Sequence, residues 1–263
     1  MKFSWFQRSI PFFLGITLLA LPAPAAFAQV NASQEASAGT VLAQSSAAFS
    51  GNQVVQRVQI SGDAAWYAGS LEDSGTIILT ATANGSSQMQ LSLAASGQKT
   101  ETQTGSGTSA NCQWAGNDGV AHNVDMGNCW RPVLWFLPSF SLQPSLLPSN
   151  LGITDLGAGT VGSGANVYRH LQSQLVASDL PATLATHITK RSTAHIGLNP
   201  STLLPAVLTY SVHPDNGASI AIAIEVHYSD YRAVNGVLIP FLIQRYVNGS
   251  LQLEIHVTSA EIN

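Results

Sequence analysis

Apolar and polar side chains alternate almost without interruption over the last sixty residues of the chain. From Ser219, Ile220, Ile222, Ile224, Val226 and Tyr228 fall on one side of an extended backbone, with Ala221, Ala223, Glu225 and His227 on the other. A second run sets Leu253, Ile255 and Val257 against Gln252, Glu254, His256 and Thr258. Strand side chains point alternately to opposite faces, so both runs predict a sheet that is wet on one side and dry on the other. Asn216-Gly217, Asn235-Gly236 and Asn248-Gly249 stand between such runs. Asn and Gly best tolerate the positive φ that two-residue hairpin turns need, so the runs should fold into an antiparallel meander.

Weaker periodicity extends this reading upstream. Residues 54–60 and 66–71 read as strands, and 76–83 and 88–94 as a hairpin turning on Asn84-Gly85-Ser86. Residues 98–104 are polar on both sides, as in a strand end or edge strand. Residues 105–128 are rich in Gly, Ser and Asn and read as a loop. Residues 151–164 read as loop or weak strand, 166–177 and 203–212 as strands, and 180–196 as ambiguous. Residues 31–50, Ala-, Ser- and Gln-rich, read as a short amphipathic helix on the sheet or a mobile arm.

The stretch from Cys129 to Pro148 breaks the pattern. It is crowded with large apolar residues, among them Trp130, Leu134, Trp135, Phe136 and Phe140, yet Pro132, Pro138, Pro144 and Pro148 divide it. Proline removes ladder hydrogen bonds, so this is no interior strand, and so apolar a segment is not left in water. It is predicted to form short helices packed across the dry face as a plug or lid.

Composition narrows the function classes. Residues 1–28 carry Lys2 and Arg8, an apolar run and an Ala26-Phe27-Ala28 cleavage pattern, which predicts an export signal. The run is too short to span a bilayer comfortably, so the mature protein is expected to be soluble, exported to a periplasm-like compartment or secreted, and not membrane-spanning. Charged residues make up 9% of the chain and the formal net charge is −4. With no basic cluster, nucleic acid is excluded as a partner. Cys112 and Cys129 are the two cysteines. In an exported chain with an even count they are expected to form a disulfide, since neither has a second ligand at metal spacing.

Candidate chemistry is sparse. Glu225 with His227, and Glu254 with His256, each place a carboxylate and an imidazole on one strand face. In a simple meander a further strand separates the pairs by about 10 Å, too far for one zinc ion. They read as polar pairs on the wet face, with Arg245 available to neutralise either glutamate. No G-x-S-x-G elbow is present. Trp114, Trp130 and Trp135 lie near the cysteines and read either as packing around the disulfide or as an aromatic mouth for an apolar or carbohydrate ligand. Neither a catalytic residue, a metal site nor a cofactor is expected.

The order of motifs in the final third carries a resemblance. Thr202-Leu203-Leu204-Pro205 precedes a strand, then His227-Tyr228-Ser229-Asp230-Tyr231-Arg232-Ala233-Val234-Asn235-Gly236-Val237 runs on to Pro240, and a turn at Asn248-Gly249 leads to the closing strand. Over residues 196–263 this resembles the LolA/LolB-like periplasmic carriers, the superfamily of outer-membrane lipoprotein-sorting proteins. The resemblance implies a strongly curved antiparallel sheet, an unclosed barrel, around a hydrophobic cavity with helices as lid. Members carry lipids or lipid-modified proteins.

Together these readings predict an α+β protein, mostly antiparallel β, with one half-barrel domain over residues 29–263. Its expected role is non-catalytic binding or carriage of a lipid, acyl chain or lipidated protein. The expected ligand-binding residues are Trp130, Leu134, Trp135, Phe136 and Phe140 of the lid and Leu253 and Ile255 of the inner face. Two alternatives stand beside it: an envelope interaction protein with a filled core and a protein partner, and a hydrolase.

Overall fold

The computed structural model describes residues 25–263 except 52, 132, 179 and 215–218, with side chains from Ala38 onward. The predicted export signal lies outside the described residues apart from its last four, and the Asn216-Gly217 turn lies outside them too. Helix α1 (Ala25–Ser50) opens the described chain. Among its described side chains Ala38, Val41, Leu42, Ser45 and Phe49 are buried and fall three to four apart, therefore on one face, with Ser50 buried at its end. Gly51, at φ +61, ends it by donating its N–H to the Ala47 carbonyl at 2.8 Å.

The remainder forms one antiparallel sheet. Strands β1 (Arg57–Ala68), β2 (Leu71–Thr82), β3 (Ser87–Leu93), β4 (Gly97–Thr104), β5 (Asn111–Ala115) and β6 (Ala121–Asn123) are one meander. Strands β7 (Leu151–Thr160), β8 (Val167–Leu175), β9 (Ala194–Leu198), β10 (Pro205–Val212), β11 (Ile222–Val234), β12 (Val237–Val247) and β13 (Ser250–Ile262) are the second. First and last strands pair, giving a 13-stranded order of β6-β5-β4-β3-β2-β1-β13-β12-β11-β10-β9-β8-β7. Helices α2 (Met126–Cys129) and α3 (Pro138–Ser141) lie between the meanders, and α4 (Ala182–Ser192) lies between β8 and β9.

The turns and faces of the closing meander follow the sequence pattern. Asn235 and Gly236 have φ of 50° and 83°, and Asn248 and Gly249 of 48° and 79°, as a tight hairpin of this type demands. Ile224, Val226, Tyr228, Leu253, Ile255 and Val257 are all buried, on a common face with Ile243, Ile60 and Leu79. Bulges at Ser61/Gly62 and Arg245/Tyr246 add local bend. At the first, a side chain on Gly62 would sit 2.5 Å from the His256 carbonyl oxygen, so only glycine fits.

Four local readings are corrected. Residues 66–71 are not one strand: they straddle the turn from β1 to β2 at Gly69. β4 is no edge, because β5 pairs with it, and residues 105–128 are not all loop, because they contain β5 and β6. These strands escape the period-two signal because neither face is consistently apolar. Arg245 neutralises neither glutamate; it projects from the opposite, concave face.

The linker between β6 and β7 must travel from one edge of the sheet to the other. Laid flat, thirteen strands would span roughly 57 Å. Strands β3 to β5 and β10 to β12, far apart in strand order, line one cavity, so the sheet is curled into an open half-barrel. The short route between its edges crosses the concave face. Topology thus places residues 124–150 over the dry side, where their apolar composition suits them.

Candidate functional site

The covering segment buries Val133, Phe136, Leu137, Phe140 and Leu142 in the same core as the concave strands. Short helices contribute α2, α3 and a 3-10 turn at Pro144–Leu146; the rest of its described residues are irregular. Among the described residues, a disulfide, an ion pair and side-chain hydrogen bonds hold it. Cys112 and Cys129 form the expected disulfide. Asp125 pairs with Arg191 of α4 at 3.2 Å. The Asn128 amide donates to the His213 carbonyl at 2.6 Å and accepts from its N–H at 2.8 Å. The Tyr228 hydroxyl of β11 donates to the Trp135 carbonyl. Gln143 accepts from the Val55 N–H at 3.3 Å and donates to the Val55 carbonyl at 3.5 Å. Burial pushes the Tyr228 hydroxyl well above the usual phenol range, which keeps it protonated as the donor.

Two adjoining cavities remain beneath this segment. The smaller, about 150 Å³, is lined by Leu134, Phe140, Leu146 and the β2–β3 turn. The larger, about 260 Å³, is lined by Met89, Trp135, Phe136, Tyr210 and Ile224, with Trp114 near its rim. Arg131 borders both, and Arg245 borders the larger. The Arg131 guanidinium carbon lies 4.8 Å from the Tyr210 ring centre and that of Arg245 lies 5.1 Å from the Trp135 ring centre, both cation–π arrangements. Gln252, the extra residue of the β12–β13 bulge, accepts from Arg245 Nε and Nη2 at 3.2 and 3.0 Å.

The seven expected ligand-binding residues separate in this geometry. Leu134, Trp135, Phe136 and Phe140 come together around the cavities. Leu253 and Ile255 sit fully buried on β13 and line neither. Trp130 turns away, packing with Leu175 and Ile188 of α4 and edge-on to His187. The tryptophan cluster read around the cysteines therefore divides: Trp114 stacks on His122 at 4.5 Å, while Trp130 belongs to a separate small core. Arg131, Arg245, Tyr210 and Tyr228 were missed as site residues. Arg245 was legible by parity, since it shares a face with Val237, Ile239 and Ile243; Tyr228 was read as core, without its tie to Trp135.

On the convex face the two glutamate–histidine pairs form as expected. His227 bonds Glu225 at 2.5 Å and His256 bonds Glu254 at 2.8 Å, with Gln244 of β12 between them, donating to Glu254 at 2.7 Å. Burial would raise the Glu225 carboxyl, but hydrogen bonds from His227 and Ser163 outweigh it and hold the group below its usual range. Ser163 donates to Glu225 rather than to His227, so the three do not compose a nucleophile and base. Among the described residues no group of three metal-ligating side chains forms, and no helix is long and apolar enough to cross a membrane.

What these elements define is a lidded α+β half-barrel, the LolA-like fold. Solved structures share it over most of the chain. One, provisionally described as an outer membrane lipoprotein-sorting protein domain from Vibrio parahaemolyticus, matches with a TM-score of 0.56 at 6% identity, covering 87% of this chain and 93% of its own. A LolA superfamily protein from Nitrosomonas europaea matches at 0.52 and 10% identity, over 86% and 93%. A DUF1329 family protein from Desulfovibrio piger matches at 0.55 and 8% identity, over 88% and 93%. No family model and no curated protein matches the sequence. At these identities the likeness is one of fold.

Proposed function

We propose that the protein is an exported, non-catalytic carrier that holds a hydrophobic ligand, a lipid, acyl chain or lipid-modified protein, between the concave sheet face and residues 129–148. One observation carries this reading: the dry face is covered by an irregular, proline-divided segment tied by a few side chains, not by a second sheet. The middle of that segment, Phe136 to Leu142, is attached to the sheet through apolar contact. Such contact is non-directional, so an acyl chain can replace it. Each methylene taken from water contributes about 0.8 kcal/mol, offset by the cost of displacing the lid. The cavities of about 150 and 260 Å³ fall below the range of roughly 300–1,000 Å³ usual for ligand pockets, so loading requires the middle of the lid to lift. The likeness to lipoprotein-sorting structures supports the same role.

The sealed positions of Leu253 and Ile255 favour a second reading, in which the lid is permanent core and the protein binds an envelope partner by its outer surface. Native mass spectrometry of protein purified from its own compartment separates the two. Carriage predicts a co-purifying lipid mass and uptake of added oleate after delipidation. A protein that is always free of lipid and takes up none ends the carrier reading.

A further inference from the structure

Building on that reading, we propose that the cargo is an anionic amphiphile whose carboxylate or phosphate head meets Arg131 and Arg245 in the larger cavity while its chain lies along Trp135, Phe136 and Met89. The chain has only ten Lys and Arg residues in 263, and two of them border one cavity of about 260 Å³. Elsewhere the arginines near carboxylates are paired: Arg169 with Asp155, Arg191 with Asp125 and Arg232 with Asp230. Arg131 and Arg245 have no such partner among the described residues. Arg245 is held by a neutral amide, and Arg131 makes no hydrogen bond to any described residue, its guanidinium carbon lying over the Tyr210 ring.

A half-buried cation without a counter-charge is costly unless something supplies one. Glu101 also borders this cavity, yet forms an ion pair with neither arginine, and one glutamate against two arginines leaves a positive balance. A guanidinium over an aromatic ring can still offer its N–H groups to the oxygens of a carboxylate or phosphate; those of Arg131 are unused among the described residues, and Arg245, whose Nε and Nη2 serve Gln252, keeps Nη1 to offer. Trp135 joins the two halves of the site: its ring packs against Arg245, and its carbonyl receives the Tyr228 hydroxyl that fixes the lid. Apolar wall and cationic pair thus stand in one cavity, the complement of an amphiphile with a charged head.

Titration of delipidated protein with oleate, oleyl alcohol, phosphatidic acid and diolein tests this, because each anionic probe has a neutral counterpart. Oleate is expected to bind at least tenfold more tightly than oleyl alcohol if the head is a carboxylate; phosphatidic acid should exceed diolein by a similar factor if it is a lipid phosphate. The R131Q/R245Q variant should remove the preference by weakening the anionic probe alone, and R131K/R245K should keep most of it. Equal binding of each pair by the unaltered protein overturns the proposal and leaves hydrophobic carriage standing. Binding of none of the four overturns both, and since these two results need no variant, misfolding of a substituted chain cannot obscure them.

Discussion

The β11–β13 meander and the covering segment 129–148 bury side chains in the same core, yet are held by different means. In the meander, Ile243, Leu253 and Ile255 are fully buried, and each of the three is also paired in the backbone ladder with two neighbouring strands. In the covering segment, Phe136 and Phe140 are nearly as buried, but the backbone has no ladder, and the ties are concentrated before Phe136 and at Gln143. Equal burial therefore does not mean equal permanence. The meander is expected to open only with the molecule as a whole, whereas the proposed carrier role requires the middle of the covering segment to open by itself, as low-stability regions do.

The largest effect that would sharpen this contrast is expected from Ile255→Ala. Truncation there should cost about 2–5 kcal/mol of global stability in urea unfolding, with one cooperative transition. A second, earlier transition confined to the meander would break the comparison. Replacing Cys112 and Cys129 by serine should cost about 3 kcal/mol, since the bridge closes a loop with a sequence separation of 17. Hydrogen exchange should show the lost protection concentrated at the root of the lid; uniform loss across the sheet would make the lid part of the global unit.

Tyr228→Phe deletes the tie to the Trp135 carbonyl and should cost about 1 kcal/mol. Exchange of lid amides, and release of a bound fatty acid, should quicken while amides of β12 and β13 keep their protection. Unchanged lid exchange would show that the hydroxyl does not latch the segment. The smallest effect lies in the β8–β9 wing, where His170 Nε2 and His195 Nδ1 are 3.0 Å apart. Burial lowers both imidazole pKa values, and the neighbouring ring lowers that of His170 further. The unfolded chain then binds protons more readily, so stability should be full at neutral pH and fall as pH drops through about 6.5. His195→Asn should flatten that slope in thermal melts across pH 5 to 8; an unaltered slope would place its origin elsewhere.

Legibility followed one-sided burial. β11 and β13 could be read residue by residue because one face is apolar and the turns need Asn-Gly geometry. β5 and β6 could not, since Asn111, Gln113, His122 and Asn123 give no contrast between faces. β7 was obscured by its glycines, and residues 180–196 by a junction of α4 and β9 without a break between them. Within the candidate site, Leu134, Trp135, Phe136 and Phe140 were recognisable as a covering group from size and proline spacing. Trp130 has the same composition signal but points into a different core, a distinction that local pattern does not contain.

By itself the sequence determined which faces are dry, where the closing hairpins turn, that two cysteines are available to bridge and that one proline-divided segment must be buried without joining the ladder. Those properties depend on neighbours along the chain. Only the tertiary structure decided that β1 pairs with β13, that the linker from β6 to β7 must cross the concave side, and that Tyr210, Tyr228 and Arg245 converge on that segment. Strand order and curvature are set by contacts between residues distant in sequence, and those same contacts bring cation, ring and cavity together.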